Sequence, residues 1–214
     1  MVGIFSISPL RNNCLLEKTF TNKEIHLEVV YNNTEIGLPE YYNSIIETRY
    51  NDFDTIILCH HDVSLKYTNF STIKDGLRHY DVLGVAGGLN PQILDKNLWH
   101  WMVPKEDYRG IAGHTASPDS LFLTTFGPTP SRVTVLDGVF LALDAKKVYN
   151  SGARFDQQFM WHHYDIDFSL TCNSKKLKLG VWPIIIQHDS PGLRDLNDGG
   201  WNKSNELFIK KWKR

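Results

Sequence analysis

Residues 52–63 constrain this chain most. They begin polar, pass through the unbroken apolar run Ile56-Ile57-Leu58-Cys59, and switch at once to His60, His61 and Asp62. A short apolar run closed by turn-like polar residues reads as a strand buried on both faces, the kind found at the centre of a parallel sheet. In open α/β sheets the ligand crevice lies outside the carboxyl ends of the strands, so imidazoles and a carboxylate at that end stand where chemistry is done. They form half of a site, and the other half must come from elsewhere in the chain.

The pattern around this stretch supplies the neighbours of such a strand. Residues 2–8 read as a first strand and residues 25–31 alternate as a second, ended by Asn32-Asn33-Thr34. After Pro39, Tyr41, Ile45 and Ile46 fall at helical spacing, and Phe70, Ile73 and Leu77 mark another helix within residues 69–80. Residues 82–87 then read as one more buried strand, which makes the order βαβαβ-like and predicts an α/β fold: an open, mostly parallel central sheet with helices on both faces. Residues 88–131 break the alternation and read as a long loop-like insert, rich in Gly, Pro, Trp and Tyr, of the kind that is usually functional or mobile. Strand patterns resume at residues 132–136 and 139–143, on either side of Asp137-Gly138. Helices are expected at residues 144–150 and 165–175, and a final strand at residues 179–186, ending in Gln187-His188-Asp189.

Composition narrows the function classes. With 214 residues, 42% hydrophobic and 22% charged, the chain can bury one sizeable core, and one domain is expected. A formal net charge of −1 gives no polyanion-binding signal, so nucleic acid is not an expected partner. Cys14, Cys59 and Cys172 are odd in number and widely spaced, which suits buried thiols in a reducing compartment. The N-terminal segment lacks a basic region and breaks at Pro9, so it reads as a strand and not a signal peptide, and a cytoplasmic location is expected.

Histidine and aspartate gather at three places: His60, His61 and Asp62; His162, His163, Asp165 and Asp167; and His188 with Asp189. Two groups sit at predicted strand ends and the third opens a helix, so a parallel-type sheet can bring all three to one rim. Mixed oxygen and imidazole ligands suit Mn²⁺ or Mg²⁺, and a cation held by two or three protein groups keeps positions open for a diphosphate. Singly, each histidine is more often structural, and Asp165 and Asp167 have an alternative role as helix N-terminal acids. His162 and His163 read as a solvated pair before the helix. Trp99, Trp101, Trp161 and Trp201 are core residues or platforms for sugar faces.

The order of an Asn-Asn turn, a Tyr-Asn-containing helix, a strand ending His60-His61-Asp62-Val63, Leu136-Asp137-Gly138, Tyr164-Asp165-Ile166-Asp167 and Ile186-Gln187-His188 resembles family-2-like nucleotide-sugar glycosyltransferases of the GT-A fold. The likeness spans residues 2–188 and rests on motif order more than on any one motif. It implies a metal-dependent, inverting transferase that moves a sugar from a nucleotide-diphosphate donor to a hydroxyl on a glycan or glycoconjugate, as in polysaccharide biosynthesis. The D-x-D signature of that family reads His60-His61-Asp62 here, with imidazole in place of the first carboxylate. By resemblance, Asp62 and His188, with His60, are the metal ligands, and Asp165 is the base that deprotonates the acceptor; the glutamate of the family's Glu-Asp pair is Tyr164 here. Asn32, Asn33 and Asn43 match the nucleotide pocket, Asp137 contacts sugar or acceptor, and His61 and Lys203 complete the donor-binding set.

Residues 1–190 are thus expected to form the transferase domain, and residues 191–214 a Gly-rich lid loop followed by a basic amphipathic helix of the same domain. That helix, with Leu207, Phe208 and Trp212 on one side, either packs on the domain or touches anionic lipid at the inner face of a membrane. Two other functions fit the same residues: a nucleotide-sugar or glycan-binding domain without turnover, and a metal-dependent phosphoesterase acting through water.

Overall fold

A computed structural model describes residues 1–9, 14–31, 35–117, 120–189 and 199–213. In chain order, the first half contains β1 (Val2–Ser8), α1 (Leu15–Thr19), β2 (His26–Tyr31), α2 (Leu38–Arg49), β3 (Thr55–Cys59), β4 (Val63–Ser64), α3 (Phe70–Gly76), β5 (Val82–Gly84), β6 (Ala86–Gly88) and α4 (Trp99–Met102). There follow β7 (Tyr108–Ser117), β8 (Ser120–Gly127), β9 (Ser131–Arg132), β10 (Val135–Leu136), β11 (Phe140–Asp144), α5 (Ala145–Ser151), α6 (Tyr164–Ser174), β12 (Leu179–Val181), β13 (Gln187–His188) and α7 (Gly199–Trp212).

The main sheet has the order β2-β1-β3-β11-β5-β12-β9. Strands β2, β1, β3, β5 and β12 run one way, while β11 and β9 run against them, so the sheet is mixed but mostly parallel in direction. All five residues of β3 are buried, as the apolar run requires of a strand flanked by β1 on one side and β11 on the other. The three cysteines are free and buried.

The second sheet differs from the sequence-based expectation. It has the order β10-β6-β7-β13-β4, with β8 added on β7. Residues 82–87 do not make one strand: β5 belongs to the main sheet and β6 to the second, with Val85 between them. The switch depends on close backbone approach. Gly110 of β7 has φ +110°, and a Cβ there would stand 2.1 Å from the Val85 carbonyl oxygen. The strand expected over residues 179–186 stops at Val181 in the main sheet, ahead of Pro183, which has no N–H for a ladder, and β13 begins only at Gln187, in the second sheet. Residues 132–136 likewise split between β9 and β10.

The expected loop-like insert at residues 88–131 is largely ordered: it carries α4, a turn of 3-10 helix at Lys105–Asp107, and the long β7–β8 pairing. Its strands are diluted by Gly and Ser, which hid their alternation. Among the described residues no helix is long and apolar enough to cross a membrane.

Candidate active site

Strand register builds the centre of the site. In the β3–β11 pair Cys59 faces Phe140, and the pairing continues one step as the His60 N–H donates to the Val139 carbonyl at 3.1 Å. The Asp137-Gly138 turn before β11 is thereby laid beside His60. Past His61, β4 pairs antiparallel with β13, setting Val63 opposite His188, and the Asp189 N–H donates to the Asp62 carbonyl at 2.9 Å.

These two pairings bring His60, Asp62 and His188 together, with one ligand atom from each within 4.8 Å of the others. His188 Nε2 lies 3.3 Å and His60 Nδ1 3.9 Å from the same Asp62 Oδ1. The contact with His188 is an ion pair at the long end of hydrogen-bond distance, and neither contact is a well-aligned hydrogen bond. Burial pushes His60 below the ordinary imidazole value, outweighing the pull of Asp62. Burial alone would raise Asp62, but the close His188 and the charge of His60 carry it below the usual carboxylate range. Burial opposes protonation of His188, while contact with Asp62 lifts it above the usual range. The group sets one carboxylate oxygen between two imidazole nitrogens. It is a donor set that a divalent cation would complete.

The N-terminus of α6 closes on this cluster from the β11 side. Gly138 makes that approach feasible, since a Cβ on it would stand 2.5 Å from Tyr164 Oη and 2.7 Å from Asp165 Cβ. Asp165 Oδ2 accepts from the Gly138 N–H at 2.9 Å. Burial first, and then the negative charge of Asp137, push the Asp165 carboxyl up to about 7. Asp137 is fixed by the Trp99 indole, which donates to Oδ2 at 2.7 Å, and by the Val139 N–H on Oδ1 at 2.9 Å.

His60, Asp137, Tyr164 and Asp165 line one side of a cavity of about 210 Å³; Trp99, Trp161 and Trp201 contribute to its aromatic wall. α7 helps to form this wall and is firmly held. His163 is buried, contrary to the expected solvated pair, because it caps α6 with φ +63°, stacks on Phe208 and packs at a tilt against Trp201. Its Nδ1 meets Ser204 Oγ at 2.9 Å, and burial drops its pKa to about 4. Asn97, which sequence patterning did not single out, is fully buried and bonds Asn205 of α7 through its backbone N–H and its side chain. Asp167 neither caps α6 with its side chain nor faces the cavity: it accepts from the Trp212 indole at 2.8 Å and pairs with Lys211 at 2.7 Å.

Among the donor-binding residues expected from sequence, Asn43 already has partners within the chain. It is buried, and both ends of its amide are committed to the Phe155 backbone, donating to the carbonyl at 2.8 Å and accepting from the N–H at 2.9 Å. It thereby holds the loop before α6. Asn32 and Asn33 lie outside the described residues, as do residues 191–198 of the expected lid loop. His61 is half-buried and stands outside the three-residue cluster, and Lys203 is exposed on α7.

No protein-family model matches the chain, and no curated protein matches it by sequence. Solved structures do resemble it. A197 from STIV aligns over 88% of this chain and 85% of its own, with a TM-score of 0.55 and 12% identity. GalNAc-T7, in a structure with UDP, GalNAc and Mn²⁺, aligns over 98% of this chain with a TM-score of 0.58 and 10% identity. This chain covers 47% of that protein. At such identities the likeness speaks for architecture alone, and the architecture is the glycosyltransferase-like α/β fold of the GT-A type.

Proposed function

We propose that the chain is a metal-dependent, inverting glycosyltransferase of the family-2-like type, moving a sugar from a nucleotide-diphosphate donor to a hydroxyl of a glycan or glycoconjugate. One observation carries this reading: His60 belongs at once to the His60–Asp62–His188 cluster and to the wall of the cavity that holds Asp165. A site for a leaving diphosphate and a site for an attacking hydroxyl therefore share a boundary. GalNAc-T7, whose structure contains UDP and Mn²⁺, lends the fold-level support.

The residues present fit a divalent cation. Asp62 Oδ1 has no well-aligned hydrogen bond, the two other members are imidazoles, and no thiol takes part. One carboxylate and two imidazoles suit Mn²⁺ better than Mg²⁺, which prefers an all-oxygen shell. Asp62, His188 and His60 would hold the ion, and its charge would offset that of the departing diphosphate.

The remaining steps belong to the chain itself. The aromatic wall stacks on the apolar face of the acceptor sugar and excludes water, which would otherwise compete for the donor. Asp165, with an affinity for protons matched to neutral pH, takes the hydroxyl proton as the acceptor oxygen bonds to the anomeric carbon. The bond from that carbon to the nucleoside diphosphate breaks, and the diphosphate leaves with the electron pair. Asp137 keeps Asp165 basic through its charge and presents a second carboxylate to the sugar hydroxyls.

Residues 1–190 and 191–214 act in this reading as one domain, and Lys203, His61, Asn32 and Asn33 are the residues proposed to bind the donor. Contact of α7 with anionic lipid would rest on exposed lysines such as Lys203 and Lys210, because Phe208 and Trp201 are buried in the domain. The test is release of nucleoside diphosphate from a panel of nucleotide-sugars, with Mn²⁺ and glycan acceptors. Turnover that requires an acceptor supports the transferase. Release at the same rate without any acceptor would replace it with a hydrolase.

A further inference from the structure

The sequence departs from the family pattern at two positions, His60 and Tyr164, and the structure brings those two side chains into contact. His60 Nε2 lies 2.7 Å from Tyr164 Oη, and Tyr164 Oη lies 3.2 Å from the Gly138 carbonyl oxygen. A phenol has one proton to give, and the Gly138 carbonyl can only accept. With the Tyr164 proton on Gly138, the phenol oxygen offers a lone pair to His60, and the ring proton of His60 sits on Nε2. His60 Nδ1 is then an unprotonated nitrogen facing Asp62 Oδ1 at 3.9 Å.

The opposite tautomer leaves more groups unsatisfied. It would spend the Tyr164 proton on His60, strip Gly138 of that donor, and point an Nδ1–H at Asp62 from a distance too long for a hydrogen bond. The tyrosine has little freedom to choose otherwise. It is buried, its ring packs against Tyr42 and Phe155, and its hydroxyl occupies the space that a side chain on residue 138 would fill.

We propose that Tyr164 is the positioning residue of the cluster, fixing His60 as its Nε2–H tautomer so that Nδ1 is presented to a divalent transition-metal ion. A ring nitrogen held by an outer partner while the other binds metal is how histidine ligands are ordinarily oriented. Tyr164 directly precedes Asp165, so the same first turn of α6 sets the ligand geometry and places the base. The glutamate and first carboxylate of the family pattern are exchanged here for a phenol and an imidazole that work as a pair. This inference rests on the metal-dependent reading above.

The experiment titrates purified, metal-stripped protein with Mn²⁺ calorimetrically and with Co²⁺ by its visible ligand-field absorption. The parent is expected to bind both. Tyr164→Phe, which keeps the ring and removes only the hydroxyl, should weaken binding by about 10- to 100-fold with an altered Co²⁺ spectrum. In a His60→Ala background the same change should have no further effect on affinity. Unchanged Mn²⁺ and Co²⁺ affinity in Tyr164→Phe would overturn the positioning role and leave the metal site standing. A parent that binds neither ion would remove both. Long-range ¹H–¹⁵N spectra of the parent give a readout that needs no variant: an unprotonated His60 Nδ1 is expected, and an Nδ1–H would refute the assignment.

Discussion

Asp165 is the residue whose surroundings say most about its work. Its carboxyl is held near 7 by burial and by Asp137, so transfer should rise with pH along a single ionisation near that value. A rate flat across that range would exclude it as the base. Asp165→Asn should keep donor binding and lower kcat by about 10²- to 10⁴-fold, and a variant transferring at the parent rate would reject the assignment. The same shift has a consequence for stability. A carboxyl raised in the folded state favours folding below its unfolded value and loses that contribution as pH rises through about 7. Asp165→Asn should therefore gain on the parent between about pH 4 and pH 7, by about 1–2 kcal/mol once solvent at the edge of the cavity is allowed for, in paired melts across that range. Asp62 and His188 were legible from sequence as polar residues at the close of apolar runs. Tyr164 was not, since a buried tyrosine beside a helix start looks like packing until its hydroxyl is seen on an imidazole. The tie between Asn43 and Phe155 was not legible either, because the two lie 112 residues apart in the chain.

At the scale of elements, α7 is the piece that sequence periodicity described well and yet left ambiguous. Its apolar side was plain, but whether that side faced protein or lipid depended on residues far away. Asn97, His163 and Asp167 settle it by meeting Asn205, Ser204 and Trp212. Phe208 is fully buried against Phe159 and His163. Phe208→Ala should cost about 3–5 kcal/mol in denaturant unfolding and raise the acceptor KM more than it lowers kcat, because the helix forms part of the aromatic wall. An unaltered midpoint would mean that α7 is not integral to the domain. The very short strands were the least legible elements. β5 and β6 read as one run, and β13 read as the polar end of the strand that begins with β12, because a two- or three-residue strand has no period of its own and is defined by its partner.

For the whole molecule, the α/β class and the central place of β3 could be read from the chain, while the second sheet could not. That sheet matters to the site, for the β4–β13 pairing within it carries His188 to Asp62. The central claim is that this meeting point holds a cation and, through it, a nucleoside diphosphate. Calorimetric titration of the metal-stripped protein with a panel of nucleoside diphosphates, with and without Mn²⁺, tests it most directly. The account predicts binding that requires Mn²⁺ in the parent and disappears in Asp62→Ala; binding of equal strength without the ion, or undiminished in Asp62→Ala, would contradict it.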